Sequence, residues 1–234
     1  MRNPQVDYRK LRLKTLHTPQ FSHLYLLLGW IIYFILYYLT EKRIPIERCH
    51  LIHVPLDDRI PFCEGFVVFY VGWYLLIVLS LGYFLLYDIE NFRNLQTYII
   101  ITQVLAIAVY ILYPSYQDLR PAVFPRENVL TAMMGIIYRL DTPTGICPSL
   151  HVAISAAIAS VWLRKKNTNL WLKELIILFC LGVCLSVLFV KQHSVVDILA
   201  AIPICLIAEW LVFFRRLHSC TSNDRIDPKG GDTP

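Results

Sequence analysis

Apolar residues occur along this chain in long blocks that are separated by short polar segments. Six blocks cover approximately residues 22–40, 65–87, 97–113, 148–163, 174–190 and 194–214. A helix needs roughly 20 mostly apolar residues to cross a bilayer, and the blocks approach that length. The pattern predicts an all-α, polytopic membrane protein in which six transmembrane helices form a bundle.

The polar segments at the two ends of the chain indicate three parts. Residues 1–21 form a basic arm, residues 22–214 form the six-helix membrane domain, and residues 215–234 form a polar tail. The first apolar block ends in Thr40-Glu41-Lys42-Arg43 without a cleavage site of small residues. We therefore expect it to remain as a helix, because a signal peptide is cut at such a site.

Composition indicates the class of protein, and the distribution of charge indicates how the chain is oriented in the membrane. The chain is 56% hydrophobic, which is too apolar for an ordinary soluble domain. Most of its 22 lysine and arginine residues fall on the side that holds both termini. Since basic loops stay in the cytoplasm, we expect a multi-pass cell-membrane protein with cytoplasmic termini. The net charge of +5 has no accompanying stripe of basic and aromatic residues, so nucleic acid is not an expected partner.

A short polar motif at the start of the sixth apolar block contains the first candidate catalytic residues. His193 and Asp197 are four residues apart, so on a helix they share one face. The carboxylate can hold one ring nitrogen and leave the other as a nucleophile or base. The alternative is a polar helix cap that happens to contain histidine. An ionisable residue inside an apolar block is costly and usually faces a cavity or a partner, which favours the functional interpretation.

A second phrase, Pro148-Ser149-Leu150-His151, opens the fourth block. Pro148 fits the first turn of a helix, and the N–H groups that follow it are predicted to form an anion site. Ser149 adds a hydroxyl donor, and His151 can give a proton to a leaving oxygen. Such a phrase also occurs by chance at helix starts. Its pairing with His193 at the same membrane level favours a shared site on the outer face.

Two basic residues near these motifs are candidates for binding an anionic substrate. Arg120, in the long loop 114–147, can grip two phosphate oxygens at once. Lys191 lies two residues before His193 and adds a further positive charge. The alternative for both residues is a surface cation near lipid head groups.

The first outer loop contains further polar residues but no trusted metal pattern. His50 and His53 flank a segment with acidic residues (Asp57, Asp58 and Glu64) that we expect to be solvated or in contact with substrate. No metal or other cofactor is predicted. Cys49 and Cys63 share this loop, and a disulfide between them requires an oxidising compartment.

Taken in order, the phrases resemble the motifs of the type 2 phosphatidic acid phosphatase superfamily of membrane phosphatases and phosphotransferases. The family pattern is Lys-x6-Arg-Pro, then Pro-Ser-x-His, then Ser-Arg-x5-His-x3-Asp. The resemblance implies that His193 takes the phosphoryl group as a phosphohistidine, that Asp197 orients it, and that His151 protonates the leaving alcohol. It also implies that Ser149 and Arg120 bind phosphate. No metal is needed in that mechanism.

Two positions depart from the family pattern and leave the acceptor open. Tyr113 stands at the lysine of the first motif and Val187 at the arginine of the third, and Lys191 is the candidate replacement for one of them. Loss of these cations also resembles the sphingomyelin and inositol phosphorylceramide synthase branch. We expect a phosphoric monoester hydrolase that acts on a lipid phosphate at the outer face, with transfer to a lipid or polyol alcohol as the alternative. A transporter is less favoured because the ionisable residues cluster at helix ends.

Overall fold

The structure, a computed structural model, describes residues 4–214, and this part of the chain is mainly helical. Its only two strands in that range, β1 (His50–Leu51) and β2 (Ser115–Tyr116), are short and pair in parallel. The helices are α1 (Leu28–Arg43), α2 (Pro55–Arg59), α3 (Val67–Tyr87), α4 (Ile89–Leu112), α5 (Val129–Leu140), α6 (Leu150–Arg164), α7 (Leu170–Phe189) and α8 (Val195–Glu209). The prediction of an all-α fold is confirmed.

Five helical segments are long and apolar enough to cross a membrane. They are Ser22–Arg43, Glu64–Tyr87, Ile89–Leu112, Leu170–Phe189 and Val195–Phe214. The remaining predicted span, residues 148–163, is α6, which has 15 residues. α6 packs against α3, α4, α7 and α8, so it meets mainly protein. The count of six spans stays a prediction.

Helix α4 begins eight residues before the apolar block that predicted it. Asp88 caps its first turn by accepting a hydrogen bond from the Asn91 N–H at 3.2 Å. Gln96 is fully buried, donates to the Leu26 carbonyl at 3.2 Å and accepts from the Trp30 indole at 3.1 Å. Because these polar side chains are paired inside the bundle, hydropathy alone placed the helix start too late.

The loops that precede α3, α5 and α6 lie together at one end of the bundle, which we call the motif end. His53 bridges two of them through hydrogen bonds of 2.8 Å to both Asp58 and Asp118. These two bonds raise the pKa of His53. Of the two alternatives expected for this loop, solvation does not hold for Asp57 and Glu64, which are buried and hydrogen-bonded; contact with substrate stays a prediction. Both Cys49 and Cys63 are free thiols.

The amino-terminal arm lies at the opposite end. The Gln5 N–H donates to the Leu86 carbonyl at 2.8 Å, and the Tyr8 hydroxyl donates to the Leu85 carbonyl at 2.7 Å. The arm therefore packs on the last turn of α3. The predicted polar tail, residues 215–234, lies outside the described residues.

Candidate active site

A cavity of about 430 Å³ opens at the motif end between α1, α3, α4, α6 and the turn before α8. This volume is within the usual range for small-molecule sites. Its lining includes two histidines, His151 and His193, and one carboxylate, that of Asp141. Its walls are largely aromatic and include Trp30, Tyr33, Phe34, Tyr37, Trp73, Tyr74 and Tyr110.

His193 and Asp197 meet at the first turn of α8. The Nδ1 atom of His193 lies 3.1 Å from Oδ2 of Asp197, whose side chain is fully buried. The same Oδ2 accepts the backbone N–H of Ser194 at 2.9 Å, so Asp197 caps the helix as well as holding the ring. His193 also lines the cavity, so with Nδ1 held by Asp197 its Nε2 is the ring nitrogen available to a ligand. One carboxylate therefore both caps the helix and pairs with the ring, and the catalytic role of this pair stays a prediction.

A tight turn between α7 and α8 sets the position of His193. The N–H groups of Gln192 and His193 both donate to the Val187 carbonyl at 3.0 Å. Lys191 has φ +54°, a left-handed conformation that often ends helices. Its ammonium donates to the Asp57 backbone carbonyl at 2.7 Å, and it does not line the cavity. Binding of substrate by Lys191 stays a prediction.

Asp57 holds this turn from a distant part of the chain. It is 1% exposed and accepts from the Ser194 hydroxyl at 2.7 Å and from the Val195 N–H at 2.9 Å. It also accepts from the Val54 N–H at 2.9 Å. The carboxylate thus joins α2 to the start of α8. Sequence reasoning missed this role because nothing local to Asp57 marks its partner.

His151 lies on the first turn of α6, facing His193. The centroids of the two rings are 5.8 Å apart. Tyr70 and Trp73 lie against the His151 ring at centroid distances of 4.4 and 4.2 Å. Its Nε2 atom is buried without a hydrogen-bond partner. A buried nitrogen of this kind is available to a ligand in the cavity.

Helix α6 begins later than the sequence suggested. Pro148 was expected in its first turn, but Ser149 is the cap residue and Leu150 is the first helical residue. The Ser149 N–H, which was expected to be unpaired, donates to the Asp197 backbone carbonyl at 3.1 Å. That bond ties the start of α6 to the start of α8. The Ser149 hydroxyl is buried and without a partner, and its binding of phosphate stays a prediction.

Asp141 hydrogen-bonds to a neighbour of each of the two histidines. Its Oδ2 atom accepts from the Tyr70 hydroxyl at 3.2 Å and from the Gln192 amide at 3.1 Å. Tyr70 stacks on His151 and Gln192 precedes His193. Burial raises the pKa of Asp141. Sequence reasoning did not select this residue, because it lies in a loop between two motifs and belongs to neither.

Arg120 secures the loop that contains Asp141. Its guanidinium donates to the carbonyl groups of Tyr138, Asp141 and Thr142 at 3.0–3.2 Å. It also donates to the Gln192 side chain at 2.9 Å. Arg120 does not line the cavity, and its grip on phosphate stays a prediction.

Tyr113 and Val187, which stand where the family pattern has a lysine and an arginine, make structural contacts in this fold. Tyr113 stacks on His50 with a centroid distance of 4.2 Å, away from the cavity. Val187 is fully buried, and its carbonyl accepts the N–H groups of the turn before α8. Neither residue contributes a polar side chain to the cavity.

A bundle of apolar helices that brings two histidines and a carboxylate together in a cavity at one end defines the class: a membrane-type helical protein with a histidine-based site. The family model described as PAP2 superfamily matches residues 91–217, and the chain belongs to that superfamily. Its members are phosphatases or phosphotransferases, so the protein is an enzyme that acts on phosphoesters. No curated protein and no solved structure matches the chain.

Proposed function

We propose that the protein cleaves a phosphoester of a membrane lipid through a phosphohistidine intermediate. The observation that carries the proposal is the pairing of two histidines across one cavity. His193 is held through Nδ1 by Asp197, and the His151 ring faces it at 5.8 Å. A nucleophile and an acid on opposite sides of a phosphorus atom need such a pairing.

In the proposed reaction, Nε2 of His193 attacks phosphorus and the bond from phosphorus to the lipid oxygen breaks. Asp197 stabilises the positive charge that develops on the imidazole ring. His151 gives a proton to the departing lipid oxygen and then accepts a proton from the attacking water. Water takes the phosphoryl group, the N–P bond breaks, and His193 is regenerated.

The negative charge of the phosphate needs donors in the cavity. The first intrahelical bond of α6 is from Ala153 to the Ser149 carbonyl, so the N–H groups before Ala153 have no acceptor within the helix. The unpartnered Ser149 hydroxyl lies beside them. Arg120 and Lys191 join the phosphate site if they exchange their bonds to backbone carbonyls for phosphate oxygens.

Entry from the bilayer fits the shape of the cavity. Phe34, Tyr74 and Val78 line it and are also 59%, 56% and 66% exposed. The cavity therefore reaches the apolar surface between α1 and α3. With both termini in the cytoplasm, this opening faces the outer leaflet of the cell membrane.

Transfer to an alcohol is the second candidate. The same apolar opening admits a lipid alcohol as readily as it admits the substrate, and such an acceptor replaces water in the second step. Purified protein in lipid vesicles, given a phospholipid labelled in its phosphate, separates the two. A water-soluble labelled product indicates hydrolysis, whereas a new labelled lipid that needs added diacylglycerol or ceramide indicates transfer. No product from phosphatidic acid or from any other phospholipid contradicts both.

The role of His151 as an acid predicts a dependence on the leaving group. For an alkyl leaving group, His151→Ala is expected to lower kcat by roughly 10²- to 10⁴-fold, since the alcohol then departs unprotonated. For a p-nitrophenyl ester, which needs no proton to leave, the loss is expected to be below about tenfold. The two rates are compared on one preparation. Equal losses with both substrates argue against proton donation by this residue.

A further inference from the structure

Three side chains from distant parts of the chain form a closed set of hydrogen bonds beside the two histidines. Tyr70 belongs to α3, Asp141 follows α5, and Gln192 lies in the turn before α8. The Gln192 amide donates to the Asp141 carboxylate at 3.1 Å and to the Tyr70 hydroxyl at 3.3 Å. The Tyr70 hydroxyl donates to the same carboxylate oxygen at 3.2 Å. We call these three residues the polar cluster.

The direction of each bond in the polar cluster is fixed by the chemistry of its neighbours. The guanidinium of Arg120 has no acceptor, so the Gln192 atom that lies 2.9 Å from its Nε is the amide oxygen. Both amide hydrogens of Gln192 are then directed to the other two members. The Tyr70 oxygen accepts one of them and keeps its own hydrogen for Asp141. Because one arrangement uses all of these hydrogens, the cluster is rigid.

The polar cluster reaches both histidines. Gln192 is 2% exposed and precedes His193 in the chain, so its bonds hold the backbone of the turn. The Tyr70 ring stacks on the His151 ring, with centroids 4.4 Å apart and 27° between the planes. Trp73, almost one turn further along α3, packs on the same imidazole at 4.2 Å. The Tyr70 hydroxyl therefore links the ring of His151 to the turn that carries His193.

We infer that the members of the polar cluster are positioning residues, which keep the His151 ring aligned with the turn that carries His193. The two ring centroids are 5.8 Å apart. The inference rests on the proposed phosphoester cleavage, in which the two rings act on opposite sides of one phosphorus atom. The cluster affects the rate through geometry alone, because a shift of about 1 Å in a reacting group costs roughly 10²-fold.

Removal of the Tyr70 hydroxyl tests this role. Tyr70→Phe keeps the ring beside His151 but loses both hydrogen bonds to the cluster, so the proposed acid loses its alignment. For an alkyl phosphoester, which needs that acid, kcat is expected to fall about tenfold. For a p-nitrophenyl ester, which does not need it, kcat is expected to stay within about twofold of wild type. The ratio of the two rates is measured on one preparation, so it does not depend on how much of the variant is folded.

Tyr98→Phe is the matched control. Tyr98 is also 2% exposed, and its hydroxyl donates to the Cys205 carbonyl at 2.9 Å, but it does not line the cavity. This variant likewise loses a hydroxyl hydrogen bond inside the bundle. Its ratio of rates is expected to equal the wild-type ratio, because neither histidine is disturbed.

Two substitutions of Asp141 distinguish positioning from a chemical role. Asp141→Leu offers no acceptor to Tyr70 or Gln192, and kcat for the alkyl ester is expected to fall about tenfold. Asp141→Asn removes the charge, but its amide oxygen accepts the same two bonds. Asn is therefore expected to recover most of the rate that Leu loses. If both substitutions lower kcat equally, the carboxylate itself takes part in the chemistry and the positioning role is overturned.

The remaining outcomes separate the inference from the function on which it rests. If wild type cleaves the alkyl ester and Tyr70→Phe has the wild-type ratio of rates, the hydroxyl does not align the acid and the inference is wrong. An equal change of the ratio in Tyr98→Phe overturns it as well. Failure of the wild-type protein to cleave either ester or phosphatidic acid overturns the proposed function itself.

Discussion

Replacement of His193 by alanine is expected to lower phosphoester cleavage by about 10⁴-fold or more, since the proposed nucleophile is removed. Phosphate release from a labelled lipid measures the loss. Brief incubation of the wild-type protein with the same lipid, followed by denaturation, is expected to leave an acid-labile label on the chain. His193→Ala is expected to leave none.

The matched control is His50→Ala, which also removes an imidazole at the motif end. His50 stacks on Tyr113 and does not line the cavity, so cleavage is expected to stay within about twofold of the wild-type rate. Equal rates for His193→Ala and wild type contradict the proposed mechanism. Label that persists on His193→Ala places the intermediate on a different residue.

Replacement of Asp57 by alanine is expected to have the largest effect on stability. The change leaves three donors without their acceptor: the Val54 N–H, the Ser194 hydroxyl and the Val195 N–H. An unpaired buried donor costs about 1–3 kcal/mol, so the free energy of unfolding is expected to fall by roughly 3 kcal/mol or more. Thermal unfolding in detergent is then expected about 6–12 °C lower.

Activity is expected to fall with the same substitution, because a shift of about 1 Å in a reacting group costs roughly 10²-fold, and Asp57 fixes the turn that carries His193. Asp58→Ala is the control, since Asp58 is exposed and bonds His53 alone. Its melting temperature and rate are expected to stay close to wild type. If Asp57→Ala matches Asp58→Ala in both measurements, Asp57 does not support the site.

The long apolar helices and the pair of histidine motifs could be predicted because their signals are local, whereas α5 lies within the stretch 114–147 that was predicted to be a loop. A block of apolar residues marks a helix without knowledge of its neighbours, and the spacing of His193 and Asp197 indicates a shared face. The start of α4 could not be predicted from hydropathy, since the burial of Gln96 depends on partners in α1. The length and first residue of α6 likewise could not be predicted from hydropathy, since they depend on the helices that pack around it.

The support for the site could not be predicted for the same physical reason. Asp57 appeared to belong to a polar loop, and only the folded chain brings it to the start of α8. Asp141 lies between the motifs, and its proximity to both histidines comes from Tyr70 and Gln192. Arg120 was selected for its charge, yet its donors meet carbonyl groups of a loop that the sequence does not place beside it.

The bond between Asp57 and Ser194 has a consequence for biosynthesis. These residues are 137 positions apart, so the turn that carries His193 acquires its support only when α8, the last α-helix of the described residues, has been synthesised. A chain that is still being translated has no assembled centre. The phosphoester cleavage that we propose is therefore absent until α8 has been synthesised.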